Sequence, residues 1–159
     1  MINSRLFRNI FLATILVILI VNFAIGAVKL VKGQTLYLPS YSNIIVDHRT
    51  ITLRVNLIIH NTDPVHKITI VRIDSHNTNG KLVEKILPES IDLDPLAAIR
   101  FTIKDPQKGD MGAGANFIVQ WRADHKVTEP LIECIMAGSQ GTQGHTFASQ
   151  GRIIQEESD

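Results

Sequence analysis

The hydrophobic rhythm of the chain changes once, close to residue 30. From Ile10 to Val28 there are 19 residues without a charge, thirteen of them Leu, Ile, Val or Phe, and the only polar breaks are Thr14 and Asn22. A run with no polar face does not suit an amphipathic core helix, and its length matches a membrane-directed helix. At roughly −0.3 to −0.6 kcal/mol for each large apolar residue, insertion outweighs the single Asn by several kcal/mol. Arg5 and Arg8 precede the run, so the amino terminus is expected in the cytoplasm and the chain after Val28 outside it. Ala24-Ile25-Gly26 before Ala27 is a passable small-x-small cleavage site, although no polar stretch precedes it. Residues 1–28 therefore read as an uncleaved signal anchor in preference to a cleaved signal peptide. No cysteine stands near the amino terminus to take a lipid.

Past a short linker over 29–33, which carries Lys29 and Lys32, the pattern shifts to period two. Within Thr50 to His60, Ile51, Leu53, Val55, Leu57 and Ile59 alternate with Thr52, Arg54, Asn56 and Ile58, the mark of a strand with one buried face. Asn61-Thr62-Asp63-Pro64 supplies turn chemistry. A β-branched run over Lys67 to Asp74 follows, and its period slips between Ile70 and Val71, which predicts a bulge. Thr78-Asn79-Gly80 then predicts a tight turn into Lys81 to Ile86, making a hairpin.

Short extended pieces follow at Ser90 to Leu93 and Ile99 to Lys104, separated by Asp94-Pro95. Asn116 to Arg122 sets Phe117, Val119 and Trp121 on one face, and Leu131 to Ala137 does the same for Ile132, Cys134 and Met136. Gly138, Gly141 and Gly144 break that run before a last strand near Thr146 to Ile154. The expected architecture is all-β, an antiparallel immunoglobulin-like β-sandwich of seven or eight strands over 34–155, preceded by one N-terminal hydrophobic helix. An acidic tail, 156–159, is expected to fray.

Charge sharpens this reading. Arg5, Arg8, Lys29 and Lys32 all precede the first acidic residue, Asp47, so the formal +1 of the chain conceals twelve basic against fifteen acidic residues beyond them. A domain near −3 without a Lys/Arg stripe has no counterion-release footprint, which argues against nucleic acid and against electrostatic docking of the domain on anionic lipid. A single cysteine, Cys134, rules out an intrachain disulfide and any Cys₄ or Cys₂His₂ zinc site.

Several segments resemble a known family, the bacterial domain-of-unknown-function family three-one-two-four. They are Gln34 to Pro39 with Tyr41-Ser42, Asn61-Thr62-Asp63, Gly80 to Val83, Leu93 to Ala97, Gly112 to Trp121, Pro130 to Gly138, and Gly141 to Gly144 leading to Phe147 to Gly151. The similarity covers most of Gln34 to Ile154. It implies an exported β-domain with no catalytic residues to carry over, and members usually look secreted and cleaved, whereas this hydrophobic segment looks more like an anchor.

Candidate chemistry is sparse. His48, His60, His66, His76, His125 and His145, with Asp47, Asp63, Asp74 and Asp124, could in principle bind a metal, but none stands at a ligand spacing, and solvated loop or strand-edge roles are preferred. A copper site from Cys134, His145, Met111 and Met136 fails on order, because no Met follows His145. Ser139 and Ser149 lack the Gly-x-Ser-x-Gly elbow, and Gly138 to Gly144 lacks the Gly-Lys-Ser/Thr ending of a phosphate cradle. Trp121 beside Phe117 reads as core before sugar platform.

What remains is a loop cluster: Asp105 to Gly114 and Gly138 to Gly144 are the longest glycine-rich connections. Lys108, Asp110, Gln140, Thr142 and Gln143 are the candidate partner-binding residues on them. The expected protein is a non-enzymatic envelope component without a cofactor. It contacts the lipid bilayer through its N-terminal segment and binds an unidentified envelope protein or other envelope component. A periplasmic metal-binding protein using several histidines is the alternative.

Overall fold

The computed structural model describes residues 28–103 and 113–157, all of them in strands, turns or irregular chain, with no helix. The hydrophobic segment expected to form a helix lies outside the described residues, apart from Val28. Among the described residues there are twelve strands where the periodicity predicts seven or eight: β1 (Leu30–Pro39), β2 (Asn43–Val46), β3 (Arg49–Thr52), β4 (Arg54–His60), β5 (Ile68–His76), β6 (Leu82–Lys85), β7 (Ile91–Leu93), β8 (Ala98–Thr102), β9 (Asn116–Thr128), β10 (Leu131–Gln140), β11 (Gln143–Gln150) and β12 (Arg152–Glu156). The class is all-β and antiparallel, as expected.

One sheet runs in the order β12-β1-β9-β5-β6, with β7 also paired to β5. A second runs β11-β10-β4-β8, and β2-β3 forms a separate hairpin. Buried side chains of both large sheets belong to a single cluster. Leu36, Leu38, Ile70, Phe117, Val119 and Trp121 come from the first sheet, and Val55, Leu57, Ile59, Ile132, Cys134 and Met136 from the second. The predicted inward faces of β4, β9 and β10 are thus the observed ones, and Trp121 is fully buried.

The slip at Ile70 and Val71 is real: the β5 to β9 register shifts between Ile70 and Arg72, so Ile68 and Ile70 are buried before it and Ile73 after it. The Asn79-Gly80 turn joins β5 to β6 as predicted, with Gly80 at φ +75°.

Three expectations change. The stretch read as a linker is strand: β1 starts at Leu30 and pairs Leu30 with Thr128 and Val31 with Val127. The last strand is two strands in two sheets, β11 on β10 and β12 on β1. Gly151 sits at the crossing, with Leu36 Cδ2 only 3.0 Å from where a Cβ would stand. The acidic tail is held in part, since Glu156 ends β12 and pairs with Lys29, while Glu157 N–H donates to Gly33 O at 3.0 Å. The pairings of β1 with β9 and β12 behind these changes are long-range, which one-dimensional periodicity does not carry.

Candidate functional site

The registers define two ends of the domain. β1 runs from Leu30 opposite Thr128 to Pro39 opposite Asn116, and β10 runs from Leu131 opposite His60 to Gln140 opposite Gln143. With only Glu129 and Pro130 between β9 and β10, the start of β10 lies beside the start of β1. Ten residues of strand at about 3.3 Å each carry Gln140 roughly 30 Å away from that end.

At the far end two hairpins meet. The first is β2-β3, closed by Asp47 and His48 at φ 47° and 63°. Two successive residues in the left-handed region make the I′ turn that two-residue hairpins favour, and Asp and His tolerate it better than bulky side chains do. Leu53 N–H donates to Ser42 O at 2.8 Å and fastens the base of this hairpin. The second is β10-β11, closed by Gly141 and Thr142 with Gly141 at φ +60°, as a II′ turn requires of its first residue.

Gly138 lets the two hairpins approach. A Cβ there would stand 2.4 Å from Thr52 O and 3.0 Å from Leu53 Cδ2, so no side chain fits. Below the tips, Tyr41 and Phe147 lie with ring centroids 5.9 Å apart and Tyr41 N–H donates to Met136 Sδ.

The hairpins enclose a cleft of about 360 Å³ lined by Val46, Asp47, Arg49, Gln140, Gln143 and His145. A wider groove of about 580 Å³ lies at the same ends of β4 and β10, with Arg54, Asn56, Ile103 and Ser139 in its wall. The cleft offers one carboxylate, one guanidinium, one imidazole and two carboxamides. Each carboxamide both donates and accepts, so the set suits a polar, near-neutral surface such as exposed peptide groups.

Of the five candidate residues, Gln140 and Gln143 are therefore brought into one cleft, though on strand ends rather than on the flexible loop expected. Thr142 is exposed at the turn beside them, and Lys108 and Asp110 lie outside the described residues. Sequence reasoning missed Arg49, and read Asp47 and His145 only as possible metal ligands. The β-branched run Ile44-Ile45-Val46 before Asp47-His48 is a hairpin signal, but nothing local pairs it with Gln140.

The Asn61-Thr62-Asp63 turn, at the opposite end, is occupied with holding the fold. Asn61 Nδ2 donates to His66 O, Leu93 O and Asp94 O at 2.9 to 3.1 Å, and Asn61 Oδ1 accepts from Asp63 N–H. Asp63 Oδ1 accepts from the amides of Val65 and His66, and Oδ2 accepts from Thr128 N–H. The backbone bonds from His66 and Val65 hold the Asp63 carboxyl down at about 2, against the opposing effect of burial.

His66 and His125 have ring centroids 4.8 Å apart and His66 Nδ1 is 3.4 Å from Asp63 Oδ1, yet that carboxylate is already committed to amides. Among the described residues no group of three His, Cys, Asp or Glu side chains is placed to hold a metal ion. Cys134 is fully buried, and burial, with Glu133 nearby, pushes its thiol up to about 12. It acts as a small apolar side chain.

Fold and cleft together define an all-β antiparallel domain with a two-hairpin polar tip. The chain belongs to the family described as "Protein of unknown function (DUF3124)", whose model matches residues 33–154. No curated protein matches it. Among solved structures it is similar to the crystal structure of Thermotoga maritima 1070, at 10% identity and a TM-score of 0.47, over 78% of this chain and 97% of that one.

Proposed function

We propose that this protein is a non-enzymatic component of the cell envelope whose two-hairpin cleft binds a protein or other envelope component. Ile10 to Val28 holds it at the inner membrane with the β-domain on the outer side, or directs it to the periplasm if the segment is cleaved. In this reading the two large sheets stack as an immunoglobulin-like sandwich, which the single core cluster drawn from both of them supports. The binding role is carried by one observation: Asp47, Arg49, Gln140, Gln143 and His145 converge from two separate hairpins on one cleft.

Capture of partners from native membranes with the whole chain as bait tests this. Gln140→Ala with Gln143→Ala, and separately Arg49→Ala, should lose the partner while thermal unfolding shifts by no more than the equivalent of about 0.5 kcal/mol. Full capture by both variants would remove the cleft from consideration. Alkaline phosphatase fused after Asp159 should be active if the domain lies outside the cytoplasm.

A further inference from the structure

The end of the domain opposite the cleft carries apolar side chains that the fold does not use. Val65 is 69% exposed, Leu96 70%, Leu30 52% and Leu131 39%. All four are tied to the Asn61-Asp63 turn. Val65 N–H donates to Asp63 Oδ1, Leu96 N–H donates to Asp63 O, Leu131 pairs with His60, and Leu30 pairs with Thr128, whose amide donates to Asp63 Oδ2.

Leu96 is the most telling of them. Ala97 N–H donates to Asp94 O at 3.1 Å, closing a turn with Pro95 second and Leu96 third, and Leu96 has φ 59°. Pro at the second position and a positive φ at the third define a type II turn, whose third residue is ordinarily Gly or Asn. A leucine there is strained and gains no burial within the domain, the kind of outlier that points to a role outside it.

The chain itself says what covers this end. The apolar run ends at Val28 and β1 begins at Leu30, leaving Lys29 alone between them. Two residues span at most about 7 Å. If Ile10 to Val28 crosses the bilayer, the start of β1 cannot leave its surface. Lys29 is engaged by Glu156 and Glu129, and Lys67 by Asp92, so these two lysines of this end are already paired within the protein. Asp94, exposed in the turn of Leu96, would sit among the headgroups.

We propose that the face formed by Leu30, Val65, Leu96 and Leu131 rests in the interfacial layer of the lipid bilayer, fixing the domain upright with its two-hairpin cleft about 30 Å from the membrane. The contact is apolar and insensitive to lipid charge. It rests on the anchored reading of the N-terminal segment. Upright docking in turn presents the cleft to partners at a set height.

The whole chain in phosphatidylcholine vesicles provides the test. Val65→Cys, Leu96→Cys and, as a distal control, Thr142→Cys each carry an environment-sensitive fluorophore, and the buried Cys134 thiol stays unlabelled. Flotation with the vesicles reads anchoring by itself. Lipids spin-labelled near the headgroup should quench the probes at 65 and 96 several-fold more than the probe at 142, with or without added anionic lipid.

Equal, weak quenching at all three sites in chains that float would overturn the docking while leaving the anchor standing. So would blue-shifted emission at 65 and 96 without lipid quenching, which would mean that protein, a second copy included, covers the face. Chains that do not float would overturn both. In a Val65→Ser, Leu96→Ser double variant that still floats, a probe at Leu131→Cys should lose its quenching.

Discussion

Asp63 shows how much one side chain can fasten. The residue is 5% exposed, and its carboxylate accepts three backbone amides from two segments, bonds that favour the charged form. Against an unfolded value of 3.8, a folded value of about 2 corresponds to about 2 kcal/mol of stability. Because the folded value is the lower one, that stability is fully present above about pH 5 and drains away as the pH falls toward 2. Asp63→Asn keeps the shape but sets an NH₂ group against an amide donor. Urea unfolding should show a loss of about 2 kcal/mol at pH 7 that narrows markedly by pH 2, and a constant gap across that range would contradict the assignment. Sequence alone reads Asn61-Thr62-Asp63 as a turn. It does not reveal Thr128 as a partner, because 65 residues separate it from Asp63.

Among elements, the hairpins are unequally legible. The β5-β6 hairpin is written in Thr78-Asn79-Gly80, and the bulge in β5 in the slipped period at Ile70 and Val71, since both features are local. The glycines of β10-β11 mislead by composition. Gly138 reads as a loop residue, yet it is strand, kept bare because Thr52 O passes 2.4 Å from its missing Cβ. Gly138→Ala should therefore cost about 1 to 3 kcal/mol by forcing the β2-β3 hairpin away, which chemical unfolding would register. In β2-β3, replacing Asp47-His48 by Asn-Gly relieves two left-handed non-glycine residues. That variant should gain about 0.5 to 1 kcal/mol and raise the melting temperature while weakening partner capture, because Asp47 lines the cleft. Unchanged capture would take Asp47 out of the binding set.

At the scale of the whole molecule, the chain passes from its apolar segment into β1 without a spacer. Val31 is buried, and Gly33 O accepts from Glu157 N–H across the edge of the sheet. A chain that starts at Gln34 should accordingly be about 2 to 4 kcal/mol less stable than one that starts at Val28, from the lost burial of Val31 and the lost strand pairing. Both should keep a β-dominated far-ultraviolet spectrum, and equal stability would mean that residues 28–33 are dispensable. What the sequence determined by itself is whatever repeats locally: the apolar run, the alternating faces that bury Val55, Leu57, Ile59, Phe117, Val119, Trp121, Ile132 and Met136, and the family to which residues 33–154 belong. The tertiary structure alone decided that β11 and β12 part into different sheets at Gly151, that Lys29 meets Glu156, and that Asp47 and Arg49 share a cleft with Gln140 and Gln143. The physical reason is that β12 with β1, Lys29 with Glu156, and Asp47 with Gln140 bring together residues about a hundred positions apart, where strand partners are selected by which buried faces can close over one core and not by any pattern within either strand.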